Sequence, residues 1–374
     1  MYRMLSYLLL PLFLCCLSVA SFANEHKTLE IGSAAPDFNL KGVDGKMYSL
    51  ASFKDAKVLV IVFTCNHCPT SQAYEDRIKK IVTDYKGKSV QLIAISPNST
   101  EGLSLSELGY TDVSDTYEEM VYRAKDKNFN FPYLYDGDTQ ATSEKYGPVA
   151  TPHVFIFDSE RKLRYQGRID DMEDPEKTPS VHDTRNAIEA LLAGSDVAVK
   201  TTKVFGCSTK WKDKNDWVRK TDEEWAKRPV DLEMIDEAGI KELLKNNTDK
   251  VRLINIWATW CGPCVTEFPE FIKINRMYNA RDFEFITISA DKPDKKDKVL
   301  KFLKEKQAAN KNYLFSSDNK YAMIEAVDPK WQGALPYTVL VEPGGKIVYA
   351  KQSIIDPLQM KKTIVENKYI GRVY

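Results

Sequence analysis

The chain has 374 residues, 43% hydrophobic and 28% charged, with 53 basic and 53 acidic side chains and a formal net charge of zero. That length accommodates two domains of ordinary size, each with its own core. The balanced charge argues against nucleic acid or an acidic surface as partner.

At the N-terminus, Arg3 precedes an apolar run from Leu8 to Ala20, followed by Ser21-Phe22-Ala23. This pattern predicts a secretory signal peptide over 1–23 rather than a membrane span, and so an exported, periplasmic or otherwise extracytoplasmic chain. Cys15 and Cys16 leave with the leader if the cut follows Ala23. A cut before a cysteine, which would leave a lipid-anchored chain, is the alternative, and Phe13-Leu14 fits it poorly. Five of the seven cysteines remain: Cys65, Cys68, Cys207, Cys261 and Cys264.

In chain order, Gly42 to Lys46 reads as a hairpin, and Val58 to Phe63 as a buried strand leading to Cys65-Asn66-His67-Cys68. A helix is expected over Thr70–Tyr85, then a strand Val90–Ser96, a helix Thr116–Lys127 and a strand Phe131–Tyr135. Thr151-Pro152 opens a strand His153–Asp158 that pairs with Leu163–Gly167, and His182–Leu192 closes the first unit as a helix. The second half repeats the plan. Strand Val251–Trp257 leads to Cys261-Gly262-Pro263-Cys264 and a helix, followed by strand Phe283–Ser289 and helix Lys296–Lys306. Leu335-Pro336 then precedes strand Tyr337–Val341, strand Ile347–Lys351 and a last helix from Pro357 to about Lys368. Such alternation predicts an α/β fold, two tandem units each with a mixed β-sheet flanked by helices. The expected division is 24–205 and 230–374. Between them 206–229 is a charged linker whose Trp211, Trp217 and Trp225 pack against one domain.

Each Cys-x-x-Cys lies between a strand and a helix, which brings two thiols together at a helix N-terminus. There the helix dipole is expected to lower the pKa of the first cysteine of each pair and favour its thiolate. Zinc bound by all four cysteines is the competing reading, disfavoured because each pair belongs to its own unit. Each pair closes only a short loop, so catalytic use explains it better than structural stapling.

The second half, with Trp257-Ala258-Thr259-Trp260-Cys261-Gly262-Pro263-Cys264-Val265-Thr266-Glu267-Phe268-Pro269, resembles the exported TlpA/ResA-type members of the thioredoxin superfamily. The resemblance implies attack by Cys261, resolution by Cys264 and a cis-proline, Pro336, facing the pair. Asn255 stands where cytosolic thioredoxins place a buried acid, and Glu267 is the expected substitute proton carrier, an exposed helix glutamate being the plain alternative. The first half is similar to the redoxin group related to peroxiredoxins, on Ala35-Pro36-Asp37-Phe38, Phe63 to Pro69, Phe131 to Asp136, Thr151-Pro152, Gly167 to Asp171 and Gly206-Cys207-Ser208. It departs from true peroxiredoxins: aligning Cys68-Pro69-Thr70 with their reactive cysteine puts Cys65 where they carry threonine. A Thr-Pro pair also replaces their arginine segment. His67 is expected to stabilise a Cys65 thiolate and make that disulfide more oxidising, or to be a solvent-exposed histidine of little effect. Pro152 matches the cis-proline, His153 starts the strand beside it, and Cys207 is either a third redox thiol or an idle cysteine.

Together these imply an exported thiol–disulfide oxidoreductase, in a setting such as cytochrome c maturation or redox homeostasis. It would act on disulfide-containing client proteins with a membrane-bound or exported thiol donor, and with no metal and no organic cofactor. A divided role is expected, in which the second domain reduces and the first is its client-facing partner or a peroxidase it recharges. Peroxide reduction by the first domain and a non-enzymatic binding module on the thioredoxin fold are the alternatives.

Overall fold

The computed structural model describes residues 26–371; the leader expected over 1–23, with Cys15 and Cys16, lies outside them. Among the described residues no helix is long and apolar enough to cross a membrane. In the first unit the elements are β1 (Asn39–Gly42), β2 (Met47–Ser49), β3 (Val58–Phe63), α1 (Pro69–Asp84), β4 (Val90–Ser96), α2 (Tyr117–Asp126) and β5 (Tyr133–Tyr135). They continue with α3 (Ala141–Tyr146), β6 (Ala150–Thr151), β7 (His153–Phe157), β8 (Leu163–Gly167) and α4 (Asp183–Leu192). Seven of the strands form one sheet in the order β2-β1-β5-β4-β3-β7-β8. Its centre, β5-β4-β3, is parallel, and β7 and β8 add antiparallel edges.

β3 shows why a continuous apolar run was needed. Val58, Val60 and Val62 face one core, and Leu59, Ile61 and Phe63 face the other, because successive side chains leave opposite faces of a strand covered on both sides.

After β9 (Cys207–Ser208) and α5 (Asp216–Ala226), the second unit runs β10 (Glu233–Ile235), α6 (Glu237–Lys245), β11 (Val251–Trp257), α7 (Gly262–Tyr278), β12 (Phe283–Ser289) and α8 (Lys296–Glu305). It ends with β13 (Lys311–Phe315), α9 (Lys320–Val327), β14 (Tyr337–Val341), β15 (Ile347–Gln352) and α10 (Pro357–Val365). Its six-stranded sheet has the order β10-β13-β12-β11-β14-β15, parallel from β10 to β11 and antiparallel beyond. The two central strands, β3 and β11, both deliver their chain to a cysteine pair at a helix N-terminus.

The stretch 206–229 differs from the expected linker. It holds a strand and an eleven-residue helix, α5, whose charged residues face solvent while Trp225 is buried. Its tryptophans do not pack against one domain. Trp211 stacks on His26 of the first unit with ring centroids 3.6 Å apart, Trp225 donates Nε1–H to the Gln307 carbonyl of the second unit at 3.1 Å, and Trp217 is exposed. An amphipathic turn pattern diluted by charge hides such a helix in sequence.

The units also meet through the segment between β4 and α2. Leu103 and Leu108 from that segment join the core of the second unit. The Tyr278 hydroxyl donates to the Thr111 carbonyl at 2.7 Å, and Arg281 Nη1 donates to the Gly109 carbonyl at 2.7 Å. Lys361 and Lys362 on α10 pair with Glu119 and Asp126 on α2 at 2.6 and 2.9 Å.

Two candidate thiol sites

The second site follows the expected plan. Cys261 is the N-cap of α7, its sulfur accepts the Cys264 N–H at 3.3 Å, and the two cysteines are joined by a disulfide. Trp260 beside them is 57% exposed, with Lys320 Nζ 4.7 Å from its ring centroid, and Gly262 and Pro263 are exposed too. The Leu335–Pro336 bond is cis and opens β14, the direct neighbour of β11.

Glu267, one turn beyond Cys264, is 4% exposed and so is not a surface glutamate. Burial pushes its carboxyl up to about 7; the Ile355 N–H, which donates to Oε2 at 2.9 Å, the Asn255 amide and Lys351 pull it back only in part. Asn255 itself is buried and donates Nδ2–H to the Thr338 hydroxyl at 3.1 Å. A carboxyl half-protonated near neutrality, within the first turns of the cysteine helix, can accept and return a thiol proton.

The first site is built differently, and the expectation that Cys65 sits at the helix end fails. α1 begins at Pro69, so Cys68 is its N-cap and Cys65 lies in the preceding loop. Proline suits the first helical position, where its missing N–H removes no intrahelical bond, and that fixes the start one cysteine later than in α7. Both thiols are free and buried, Cys65 at 3% and Cys68 at 0% exposure. Cys65 Sγ lies 3.0 Å from the Thr151 hydroxyl, and Cys68 Sγ lies 3.4 Å from the Thr151 carbonyl, directly before the cis Thr151–Pro152 bond.

Their electrostatics run in opposite directions. Burial drives the Cys65 thiol well up, with the hydrogen bond to Cys68 and the charge of Asp115 adding to it. Burial acts the same way on Cys68, but hydrogen bonds from Cys207 and Cys65, the positive charge of His67 and the Ser71 N–H outweigh it, so Cys68 is held well below the usual thiol range. Of the three thiols, Cys68 is thus the one whose thiolate is favoured, and the charge on His67 favours Cys68 rather than Cys65.

His67 is neither exposed nor idle. Its Nδ1 lies 2.6 Å from Asp115 Oδ2, both side chains buried. Burial alone would lower the imidazole pKa, and the Asp115 carboxylate more than reverses that. Asp115 in turn is held down, against its own burial, by His67 and by Asn98 Nδ2–H at 2.8 Å; its Oδ1 accepts the N–H groups of Asn66 and His67 at 2.8 and 3.0 Å. His153 makes no part of this network: it is buried, paired with Gln166 at 2.8 Å, and burial lowers its pKa to about 4.

Cys207 does belong to it. β9 pairs with β6, setting Cys207 opposite Thr151, and the Cys207 N–H donates to Cys68 Sγ at 3.3 Å. Asp115 and Thr151 are the site residues that sequence reasoning missed, and no local pattern marks Asp115.

Cys65, His67 and Asp115 also place donor atoms within 4.8 Å of one another. Both Asp115 oxygens already accept two hydrogen bonds each, so the cluster is complete without an ion. The four-cysteine zinc reading finds no ligand group among the described residues.

The family described as AhpC/TSA matches residues 31–166, and the Redoxin family matches residues 229–365. Among curated relatives, a thiol-disulfide oxidoreductase ResA of Bacillus cereus is 29% identical over 120 residues, 30% of this chain and 61% of the relative. The chain thus spans less than two thirds of that relative's length. Among solved structures, the hypothetical protein SMc02350 from Sinorhizobium meliloti 1021 is 32% identical, covering 50% of this chain and 96% of that one, with a TM-score of 0.44. An uncharacterized conserved protein from Geobacillus kaustophilus is 35% identical over 49% of this chain and 93% of that one, TM-score 0.43. With two thioredoxin-type units, each carrying its cysteine pair between a central strand and a helix, the chain belongs to the thioredoxin superfamily as a tandem of an AhpC/TSA-family and a Redoxin-family domain.

Proposed function

We propose that this protein is an exported thiol–disulfide oxidoreductase whose second domain exchanges disulfides with client proteins through Cys261 and Cys264. The observation that carries this reading is the disulfide at the head of α7 beside an exposed Trp260, with the buried Glu267 close behind. The exposed Trp260, Gly262 and Pro263 around the pair suit a protein-sized substrate, the name of the ResA relatives agrees with it, and a donor thiol would have to restore the dithiol after each turn. In one cycle the Cys261 thiolate attacks a client disulfide, one client sulfur leaves as thiol, and Cys264, its proton taken by Glu267, attacks Cys261 to release the second. Trapping tests it: a reduced Cys264→Ala chain mixed with a disulfide protein should accumulate a mixed disulfide at Cys261, and its absence contradicts the reading.

A second reading concerns the first domain alone. Cys68 is enclosed by Asn66, His67 and Thr151, and is the depressed thiol. An enclosed thiolate suits a small oxidant, a hydroperoxide of the kind the peroxiredoxin resemblance implies, better than a protein disulfide. Peroxide consumption that vanishes in Cys68→Ser and persists in Cys261→Ser supports it; unchanged consumption in Cys68→Ser refutes it.

The domains we assign are 24–205 and 230–374. The folded connector 206–229 contributes Cys207 to the first.

A further inference from the structure

We propose that Cys207 is the exit thiol of the first site: a disulfide made at Cys68 is handed to Cys207, and a dithiol reductant attacks it there. This rests on the reading that Cys68 is the reactive thiolate of that domain.

Access carries the argument. Cys65 and Cys68 are both buried, and so are Asn66 and His67 between them, so the Cys65–Cys68 disulfide that their spacing allows would be closed to a protein reductant, unlike the second pair with its exposed Gly262 and Pro263. Cys207 alone of the three is only partly buried, and Ser208 next to it is exposed. It lies on the two-residue ladder with β6, opposite Thr151, which touches both other thiols. The Cys207 N–H donates to Cys68 Sγ at 3.3 Å.

The backbone is shaped for this approach. Gly206 has φ +135°, a region closed to ordinary side chains, and a Cβ there would fall 2.1 Å from the Thr151 carbonyl oxygen. Glycine is required at that position for β9 to lie against the active-site segment.

The exchange balances without any outside redox partner. The Cys207 sulfur attacks Sγ of Cys68, the Cys65–Cys68 bond breaks, and Cys65 leaves as a thiolate that takes the proton Cys207 gave up. Cys65 and Cys207 are both held above the usual thiol range, the first chiefly by burial and the second chiefly through Cys68, so the proton passes between two like groups. A dithiol then attacks Cys207, Cys68 departs as thiolate, and the second reductant sulfur frees Cys207, so two electrons pass from the dithiol to the site.

The test uses the reduced full chain and one equivalent of oxidised glutathione or hydrogen peroxide, followed by acid quench, alkylation and peptide mass spectrometry. A Cys68–Cys207 linked peptide is expected in the wild type. In Cys207→Ser the Cys65–Cys68 disulfide should accumulate, and its reduction by thioredoxin should slow at least tenfold. Gly206→Ala, which keeps every thiol, should slow it likewise by displacing β9. Cys65–Cys68 as the only wild-type product, with unchanged recovery in Cys207→Ser, overturns the exit while leaving Cys68 as the reactive thiolate. A Cys68 that neither oxidant touches overturns both.

Discussion

Nδ1 of His67 lies 2.6 Å from Oδ2 of Asp115, and both side chains are buried. The imidazole pKa is raised and the carboxylate pKa lowered, each by the other, so each favours the other's charged form and with it a positive charge beside Cys68. Asp115→Asn should therefore raise the Cys68 pKa and lower that of His67, read by thiolate ultraviolet absorbance and by NMR titration.

The same pair predicts a pH window of stability. His67 has a raised folded pKa, so its contribution is complete below the ordinary histidine value of about 6.5 and is lost as pH rises through the folded value. Asp115 has a lowered one, so its contribution is complete above the ordinary value of about 3.9 and is lost as pH falls through the folded value. The pair thus stabilises most between about pH 4 and 6.5. In that window Asp115→Asn should cost roughly 3–5 kcal/mol, the range for removing one partner of a buried ion pair. Denaturant titration of the variant at several pH values checks this.

Glu267 carries the opposite sign. Its folded pKa of about 7 lies above the unfolded carboxyl value, so the native state is favoured at low pH and loses stability as pH rises toward and through 7. Glu267→Gln should be more stable than wild type at pH 8 and lose most of that advantage at pH 5. It should also remove an inflection near neutrality from the pH profile of exchange at Cys261–Cys264, with a rate loss of about a hundredfold. A variant that exchanges at the parental rate across the profile shows that Glu267 moves no proton.

The two sites are predicted to cycle separately. Cys261 heads α7, and it is the far end of that helix, at Tyr278, that bonds to Thr111 of the first domain. Seventeen residues at 1.5 Å each span roughly 25 Å, while exchange requires sulfurs in contact. This runs against recharging of the first site by the second within one chain. Cys261→Ser/Cys264→Ser should leave re-reduction of Cys68 by external thioredoxin within twofold of wild type.

Much of this fold could be read from the sequence where local signals were strong. β3 and β11 are unbroken apolar runs, and the prolines at 152 and 336 mark strand starts, so the sheets' centres and the cysteine positions were legible. β13 and α9 were missed: β13 opens on Lys311-Asn312, whose polar side chains mask a strand, and α9 has only eight residues. α6 and β10 were missed for the same shortness. The true helix start at Cys68 was available in Pro69, because proline favours the first helical position. Asp115 was not legible: it reaches His67 across 48 residues, and only the folded loop before α2 brings them together.

Turnover of a protein disulfide such as insulin by the full chain, compared among wild type, Cys261→Ser and Cys68→Ser with a shared thiol donor, separates the two sites. Cys261→Ser should abolish reduction while Cys68→Ser stays within twofold of wild type, because exposed Trp260, Gly262 and Pro263 surround the second pair whereas buried Asn66 and His67 lie between the cysteines of the first. Loss of activity in Cys68→Ser with full activity in Cys261→Ser would contradict it.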